Sequence, residues 1–137
     1  MIAMLIALTL ASTQQTAVPA RPETVVRAMF DAFNRHDAQA MQRLYSSDAR
    51  LTSSDFCASR GKADIRRTYD ALFSAFPDIH DTVEILVSEG DRIAVRFTAT
   101  SQSGNLKLPI HTFLRVRNGL IAEDDSVFDA GGRPCTP

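Results

Sequence analysis

The stretch RIAVRFTATSQSGNLKLPIHTFLRVRNGL at residues 92–120 consists of two runs in which apolar and polar side chains alternate. A period of two is typical of β-strands that bury one face and expose the other. The segment at residues 101–104 separates the two runs, and Asn118-Gly119 at the end of the second favours a tight hairpin. The apolar positions are Ile93, Val95, Phe97, Leu106, Leu108, Ile110, Leu114 and Val116. The stretch therefore predicts two antiparallel strands with a common buried face.

Further strands are predicted on both sides of this stretch. Upstream, Val83, Ile85 and Val87 alternate with polar neighbours and are predicted to face the core together. Downstream, Leu120–Asp129 continues past the hairpin as a last strand, and Ala49–Ser53 fits a short first strand. The sequence thus indicates an antiparallel meander that follows one short strand.

Three helices are predicted ahead of the meander. The first begins at Pro22, where a proline costs no helical hydrogen bond, and the second is N-capped by Asp37. The third begins at Gly61 and is stopped by Pro77. Their apolar faces comprise Val25, Val26, Met29, Phe30 and Phe33, then Met41, Leu44 and Tyr45, then Ile65, Tyr69, Leu72, Phe73 and Phe76. Helices before a meander predict an α+β domain in which a curved sheet and its helical cover enclose a cavity, the default ligand site.

The N-terminus differs in composition from the rest of the chain. Ile2–Ala11 is almost unbroken apolar sequence, and a stretch of small and polar residues follows up to Ala20. A run of about ten apolar residues fits the core of a secretory signal and is too short to span a bilayer. We therefore expect a signal peptide at residues 1–20, a domain at 21–130 and a tail at 131–137, in a protein exported to the periplasm or secreted. The alternative is an N-terminal helix or strand that packs on the domain.

The charged residues exclude some classes of partner. The 15 basic and 16 acidic residues are spread along the chain and give a formal net charge of −1. Without a basic stripe or an acidic tail, electrostatics provide no reason to propose nucleic acid or an anionic membrane as partner.

The chain has two cysteines, Cys57 and Cys135. In an oxidising compartment they would form one disulfide that ties the tail to a loop near the first strand. The alternative is a pair of unbonded thiols, and the sequence leaves both open. No metal site is expected, because the cysteines are isolated and the three histidines share no ligand spacing.

Several segments, taken in order, resemble the SnoaL-like family of the nuclear transport factor 2-like superfamily. They are VVRAMFDAFNRHD at 25–37, LYSSDA at 44–49, Gly61–Tyr69, Phe76–Asp78 and Arg115–Glu123. The resemblance covers residues 25–129 and implies a cone-shaped α+β fold, with three N-terminal helices packed on a strongly curved, mainly antiparallel sheet. It implies much less about function, because this fold hosts cyclases, isomerases, hydrolases and binding modules.

The ketosteroid isomerases of that superfamily offer a specific comparison. Matching the motifs places Ser53 at their general base, Met29 at their oxyanion tyrosine and Thr112 at their oxyanion aspartate. Methionine has no proton to donate, and serine is not a base near neutral pH without help, so steroid isomerisation is disfavoured. Tyr45 and Tyr69 match two further tyrosines of the isomerase pocket, which supports a cavity with polar groups.

Asp124 is the first candidate for a functional acid. On the last strand it alternates in step with Ala122, Ser126 and Phe128, and the resemblance directs that face toward the cavity. A carboxyl in an apolar cavity would have a raised pKa and could exchange a proton near neutral pH. The alternative is a solvated carboxylate in the acidic run at residues 123–125.

Two further residues are candidates for the cavity. Asp55 lies two residues after Ser53 and could replace the missing base, or it could be an ordinary loop aspartate. His111 alternates with the outward-facing side chains of its strand and would reach the cavity only if Pro109 marks a bulge.

These observations predict a cofactor-independent enzyme of cyclase or isomerase type that transfers protons on a small apolar carbonyl compound. Asp124 would act as acid and base. The substrate would be oriented by Tyr45, Tyr69, Ser53 and Thr112, with Asp55 and His111 as further binding candidates. The alternative is an exported module without catalysis, which binds a small apolar ligand or forms a homodimer through the outer face of the sheet.

Overall fold

The computed structural model describes residues 17–137, and this part of the chain folds into three helices packed on a five-stranded sheet that does not close. The elements are α1 (Pro22–Asn34), α2 (Ala38–Arg43), β1 (Tyr45–Ser53), α3 (Lys62–Ala75), β2 (His80–Glu89), β3 (Arg92–Ser101), β4 (Leu106–Arg117) and β5 (Leu120–Val127). The strand order is β1-β5-β4-β3-β2. All neighbours are antiparallel except β1 and β5, which run parallel. The predicted α+β class is confirmed.

Most of the predicted signal peptide, residues 1–20, lies outside the described residues. No helix within residues 17–137 combines the length and the apolar character needed to cross a bilayer.

Local sequence explains how the helices begin and which faces they bury. Pro22 opens α1, and the apolar stripe predicted for this helix is buried. Asp37 caps α2, since its Oδ1 accepts a hydrogen bond of 2.8 Å from the backbone N–H of Ala40. The rings of Phe30 on α1 and Phe97 on β3 meet edge to face with centroids 5.0 Å apart. The hydrophobic core thus lies between α1 and the inner face of the sheet.

The strand that contains Tyr45 is longer than predicted. The apolar periodicity predicts Tyr45 on the second helix, but α2 ends at Arg43 and Tyr45 is the first residue of β1. Tyr45 pairs with Ile121 of β5, and its side chain is fully buried. The short helix stops there because pairing with the last strand, a contact distant in sequence, overrides the helical periodicity.

The buried face predicted for β2 is wrong beyond Val83. The register with β3 shifts after Val83, so that Glu84 is an extra residue that forms a β-bulge. A one-residue insertion moves the following side chains to the opposite face. Leu86 therefore packs against the core, whereas Ile85 and Val87 are 52% and 59% exposed on the outer face.

The C-terminal tail is fixed to the loop after β1. Cys57 and Cys135 form a disulfide, which decides between the two alternatives that the sequence left open. Thr136 pairs with Phe56 beside this bond, and the guanidinium of Arg60 donates to the Thr136 hydroxyl at 3.0 Å. The tail is thereby held against the open end of the space between helices and sheet.

Candidate functional site

A cavity of about 300 Å³ lies between α1, α3 and the inner face of the sheet. Most of its lining is apolar and includes Phe30, Phe33, Leu51, Leu72, Phe97 and Ile110. Two carboxyl side chains that border it are almost completely buried, Asp124 from β5 and Asp81 from β2. A cavity of about 150 Å³ holds one benzene ring, so this cavity has room for a compound of about two rings.

Asp124 lies at the inner wall of the cavity, and its side chain is 3% exposed. The Tyr45 hydroxyl donates to its Oδ2 at 2.6 Å, and the Thr112 hydroxyl donates to its Oδ1 at 2.7 Å. Burial raises the pKa of Asp124 above its ordinary value, while the two hydrogen bonds lower it in part. As the alternation of β5 predicts, Ser126 and Phe128 line the same cavity.

The hydroxyl partners of Asp124 can accommodate either of its protonation states. When the carboxyl is ionised, Tyr45 and Thr112 both donate to it. When it is protonated on Oδ2, it can donate to the Tyr45 oxygen, and the Tyr45 hydroxyl can turn to the Met29 sulfur at 3.3 Å, a weak acceptor. The arrangement can therefore hold or release a proton without leaving a buried polar atom unpaired.

The two tyrosines matched to the isomerase pocket have different positions. Tyr45 does not border the cavity but lies behind Asp124, which it supports. Tyr69, on α3, does line the cavity, and its ring packs edge to face on Phe33 with centroids 5.9 Å apart. Burial, together with the negative charge of Asp124, raises the pKa of Tyr69, so its hydroxyl keeps its proton at physiological pH.

Ser53 and Asp55 lie together at the open end of the cavity. The Ser53 hydroxyl donates to Oδ1 of Asp55 at 2.7 Å, and both residues line the cavity. Met29 and Thr112 also border it, so all three positions that match the isomerase catalytic residues are at the cavity wall. Met29 nevertheless has no proton to donate, Ser53 is not a base near neutral pH without help, and the Thr112 hydroxyl already donates to Asp124.

His111, a predicted candidate for substrate binding, does not reach the cavity. The pairing of β3 with β4 runs without a shift past Pro109, so the bulge that would turn His111 inward is absent from this strand pair. His111 lies exposed on the outer face, in a row with Arg96 and Val127.

Asp81 is a cavity residue that the sequence analysis missed. It is the second residue of β2, and its backbone is held by the Asn34 amide, which donates to the Asp81 carbonyl at 2.9 Å and accepts from the Asp81 N–H at 2.8 Å. The side chain is 6% exposed, and its Oδ1 has no hydrogen-bond partner among residues 17–137. Burial raises its pKa to about 8. The sequence could have indicated this position, because Asp81 lies two residues before the inward-facing Val83 and shares its face of the strand.

The donor groups of the described region do not suggest a metal site. Within residues 17–137, no three His, Cys, Asp or Glu side chains converge as ligands for an ion would. The buried acidic groups at the cavity wall are the carboxyls of Asp81 and Asp124, beside hydroxyl groups and an apolar lining.

Comparison with known proteins identifies the fold family. The model of the SnoaL-like domain matches residues 26–124. No curated protein matches the chain in sequence. Among solved structures, a loop truncation variant of IdmH is similar at 25% identity and a TM-score of 0.71, over 80% of this chain and 93% of that one. Wild-type IdmH is described as a proposed polyketide cyclase from Streptomyces antibioticus.

Two other solved structures are similar to this chain in fold. AclR, a proposed hydroxylase from Streptomyces galilaeus, is 25% identical with a TM-score of 0.66, over 79% of this chain and 88% of that one. A proposed ketosteroid isomerase from Kribbella flavida is 24% identical with a TM-score of 0.69, over 85% of this chain and 83% of that one. The family match covers most of the chain, and the architecture agrees with it. The chain belongs to the SnoaL-like domain family.

Proposed function

We propose that the protein is a cofactor-independent enzyme that transfers protons on a small apolar carbonyl compound, with Asp124 as acid and base. The observation that carries the proposal is a carboxyl at the wall of an apolar cavity, with its pKa raised by burial and with two hydroxyl partners. Similarity at 25% identity to a variant of IdmH, whose wild-type form is described as a proposed polyketide cyclase, supports a reaction of this class.

The proposed reaction moves one proton out and back. Ionised Asp124 removes a proton from the carbon next to the substrate carbonyl, and negative charge then develops on the carbonyl oxygen. Tyr69, which keeps its hydroxyl proton, would donate a hydrogen bond to that oxygen. Asp124 afterwards returns the proton to carbon or to oxygen, which completes an isomerisation or follows a ring closure. Every atom is accounted for without a cofactor.

The remaining candidates have supporting roles in this proposal. Tyr45 and Thr112 hold the carboxyl of Asp124 in one orientation and stabilise its ionised form. Ser53 and Asp55, bonded to each other at the open end of the cavity, would orient the part of the substrate nearest the solvent.

The test uses α-tetralone, a ketone with two rings that suits the volume of the cavity. Exchange of its α-protons in D₂O is followed by NMR with wild-type protein, Asp124→Asn and Asp125→Asn. Asp125 is the matched control, because it is the next residue on β5 but faces outward and accepts a hydrogen bond from Thr52 at 2.6 Å. We expect Asp124→Asn to slow exchange by about 10²- to 10⁴-fold and Asp125→Asn to leave it unchanged.

Equal exchange by wild-type protein and Asp124→Asn would remove Asp124 from the reaction. The alternative function is binding without catalysis, and it is favoured by the fact that both oxygens of Asp124 already accept hydrogen bonds. Binding of α-tetralone to wild-type protein without exchange would support that alternative.

We further propose that the outer face of the sheet forms a homodimer. The register places Val87, Ala94 and Phe113 in one row across three strands, beside a second row that contains Ile85 and Val127. Phe113 is 58% exposed, and exposed apolar side chains that adjoin one another favour association. Sedimentation velocity should show a dimer for the wild type and for Ala71→Asp on the exposed side of α3, but a monomer for Phe113→Asp. A monomeric wild type would contradict this.

Export is the third element of the proposal. The disulfide between Cys57 and Cys135 supports folding in an oxidising compartment. The intact mass of the protein recovered from the periplasm or medium of its host should correspond to a chain that begins at Arg21 and lacks two thiol hydrogens. Recovery of the uncleaved, reduced chain from the cytoplasm would contradict export.

A further inference from the structure

The carboxyl group of Asp81 borders the cavity but has no partner in the described part of the chain. Its side chain is 6% exposed, and Oδ1 is fully removed from solvent without a hydrogen bond from residues 17–137. A buried carboxyl oxygen without a partner costs free energy, and native structures rarely leave one unless it serves a ligand or a bound water. Asp124 differs from Asp81 in this respect, because both of its carboxyl oxygens accept hydrogen bonds.

The elements around Asp81 do not offer it a partner. From α1, the Asn34 amide bonds the backbone of Asp81 and not its carboxyl. From α3, Tyr69 is close enough for the charge of Asp81 to contribute to raising its pKa, but no hydrogen bond joins the two side chains. From β3, the residue opposite is Ala99, which has no polar side chain. The Asp81 carboxyl thus borders the cavity without a hydrogen bond from any of these three residues.

We propose that Asp81 is a second ligand-binding carboxyl, which holds a hydroxyl group on an apolar compound of about two rings. A hydroxyl group suits this site because it can donate to a carboxylate and accept from a carboxylic acid, whichever form Asp81 takes. Asp81 and Asp124 enter the cavity from β2 and β5, which are separated by β3 and β4. The inference rests on the proposed function of this cavity and adds to it the position of a second oxygen on the substrate.

The test compares two probes that differ only in a hydroxyl group, 2-naphthol and naphthalene. Their dissociation constants are measured from the fluorescence of the naphthalene ring of each probe, with wild-type protein, Asp81→Asn, Asp81→Leu and Asp31→Asn. Asp31 is exposed on α1 and loses the same charge, so it is the matched control. The measured quantity is the preference, the ratio of the naphthalene constant to the 2-naphthol constant. This ratio cancels changes in cavity shape that affect both probes.

We expect the wild type and Asp31→Asn to prefer 2-naphthol by about tenfold, the contribution of one additional hydrogen bond to a buried group. Asp81→Leu should abolish the preference while it still binds naphthalene. Asp81→Asn should keep part of the preference, because an amide can also donate to and accept from a hydroxyl. A merely structural role for Asp81 would change the melting temperature and leave this ratio as it is.

The outcomes separate this inference from the function on which it rests. If Asp81→Leu keeps the wild-type preference, or the wild type has none, Asp81 does not bind the hydroxyl, while naphthalene binding leaves the apolar cavity intact as a site. If neither probe binds the wild type up to its solubility limit, both the inference and the ligand-binding cavity are contradicted.

Discussion

Replacing Asp81 with Asn should stabilise the ligand-free protein, and the gain should grow as pH rises from 4 to 8. The Asp81 carboxyl is buried, and its pKa is raised from 3.8 to about 8 by that burial. The folded state then binds the Asp81 proton more tightly than the unfolded state does. The contribution of this proton to the free energy of unfolding is therefore fully present below the unfolded pKa. It falls as pH rises and is lost above the folded pKa. Asparagine has nearly the same shape and cannot ionise.

The magnitude follows from the distance between the two pKa values. Each pKa unit corresponds to about 1.4 kcal/mol. Between pH 3.8 and pH 7 the free energy of unfolding of the wild type should therefore fall by about 4 kcal/mol relative to that of Asp81→Asn. The difference should be close to zero at pH 4 and should level off near pH 8. Asp124, whose pKa is also raised by burial, is present in both proteins, and its contribution cancels.

The assay is urea unfolding followed by far-UV circular dichroism, because the chain contains no tryptophan. Free energies of unfolding are measured every half pH unit for the wild type, Asp81→Asn and the exposed control Asp31→Asn. The difference in free energy of unfolding between Asp31→Asn and the wild type should stay small across the pH range, because the Asp31 side chain is exposed and the control retains Asp81. A difference between Asp81→Asn and the wild type that is flat, or that shrinks as pH rises, would show that burial does not raise the pKa of Asp81.

Three further predictions test other parts of the structure. Reduction of the disulfide, whose cysteines are 78 residues apart, should lower the free energy of unfolding by about 4 kcal/mol, measured by urea unfolding with and without reductant. Gly104→Ala should lower the melting temperature, at a cost of about 1–3 kcal/mol, because a Cβ there would lie 2.3 Å from the Phe76 ring. Thr112→Val removes the hydroxyl that donates to Oδ1 of the buried Asp124 carboxyl and should lower the free energy of unfolding by about 1–3 kcal/mol; a urea-unfolding curve that matches the wild type would contradict it.

Periodicity in the sequence was sufficient to predict the helices and the central strands. The stripe on α1 and the alternation of β3 and β4 both appear in the structure as buried faces. These elements were predictable because each one's burial follows its own repeat of 3.6 or 2 residues. The last strand ends at Val127 rather than Asp129, a small difference at an element boundary.

The elements predicted wrongly depend on partners that are distant in the chain. Tyr45 lies on a strand because β5 pairs with it, and the short helical pattern gave no sign of that contact. The bulge at Glu84 exists only in the register between β2 and β3, so the run of Val83, Ile85 and Val87 in the sequence looked like one continuous face.

The candidate site was predictable only where it depends on alternation within one strand. Alternation along β5 placed Asp124 correctly at the cavity. It could not show that Tyr45 lies behind this carboxyl, because the two residues are 79 positions apart. Asp81 was missed because it is the second residue of β2, close after a turn, where an aspartate usually serves local turn chemistry.

A crystal structure of the protein with α-tetralone would show directly whether Asp124 meets a ligand in the cavity. We expect the ketone to lie within the cavity, with its α-carbon about 3.5 Å from a carboxyl oxygen of Asp124 and its oxygen toward Tyr69. A structure in which side chains fill this space, or in which the compound binds only at the surface while Asp124 is walled off, would contradict it.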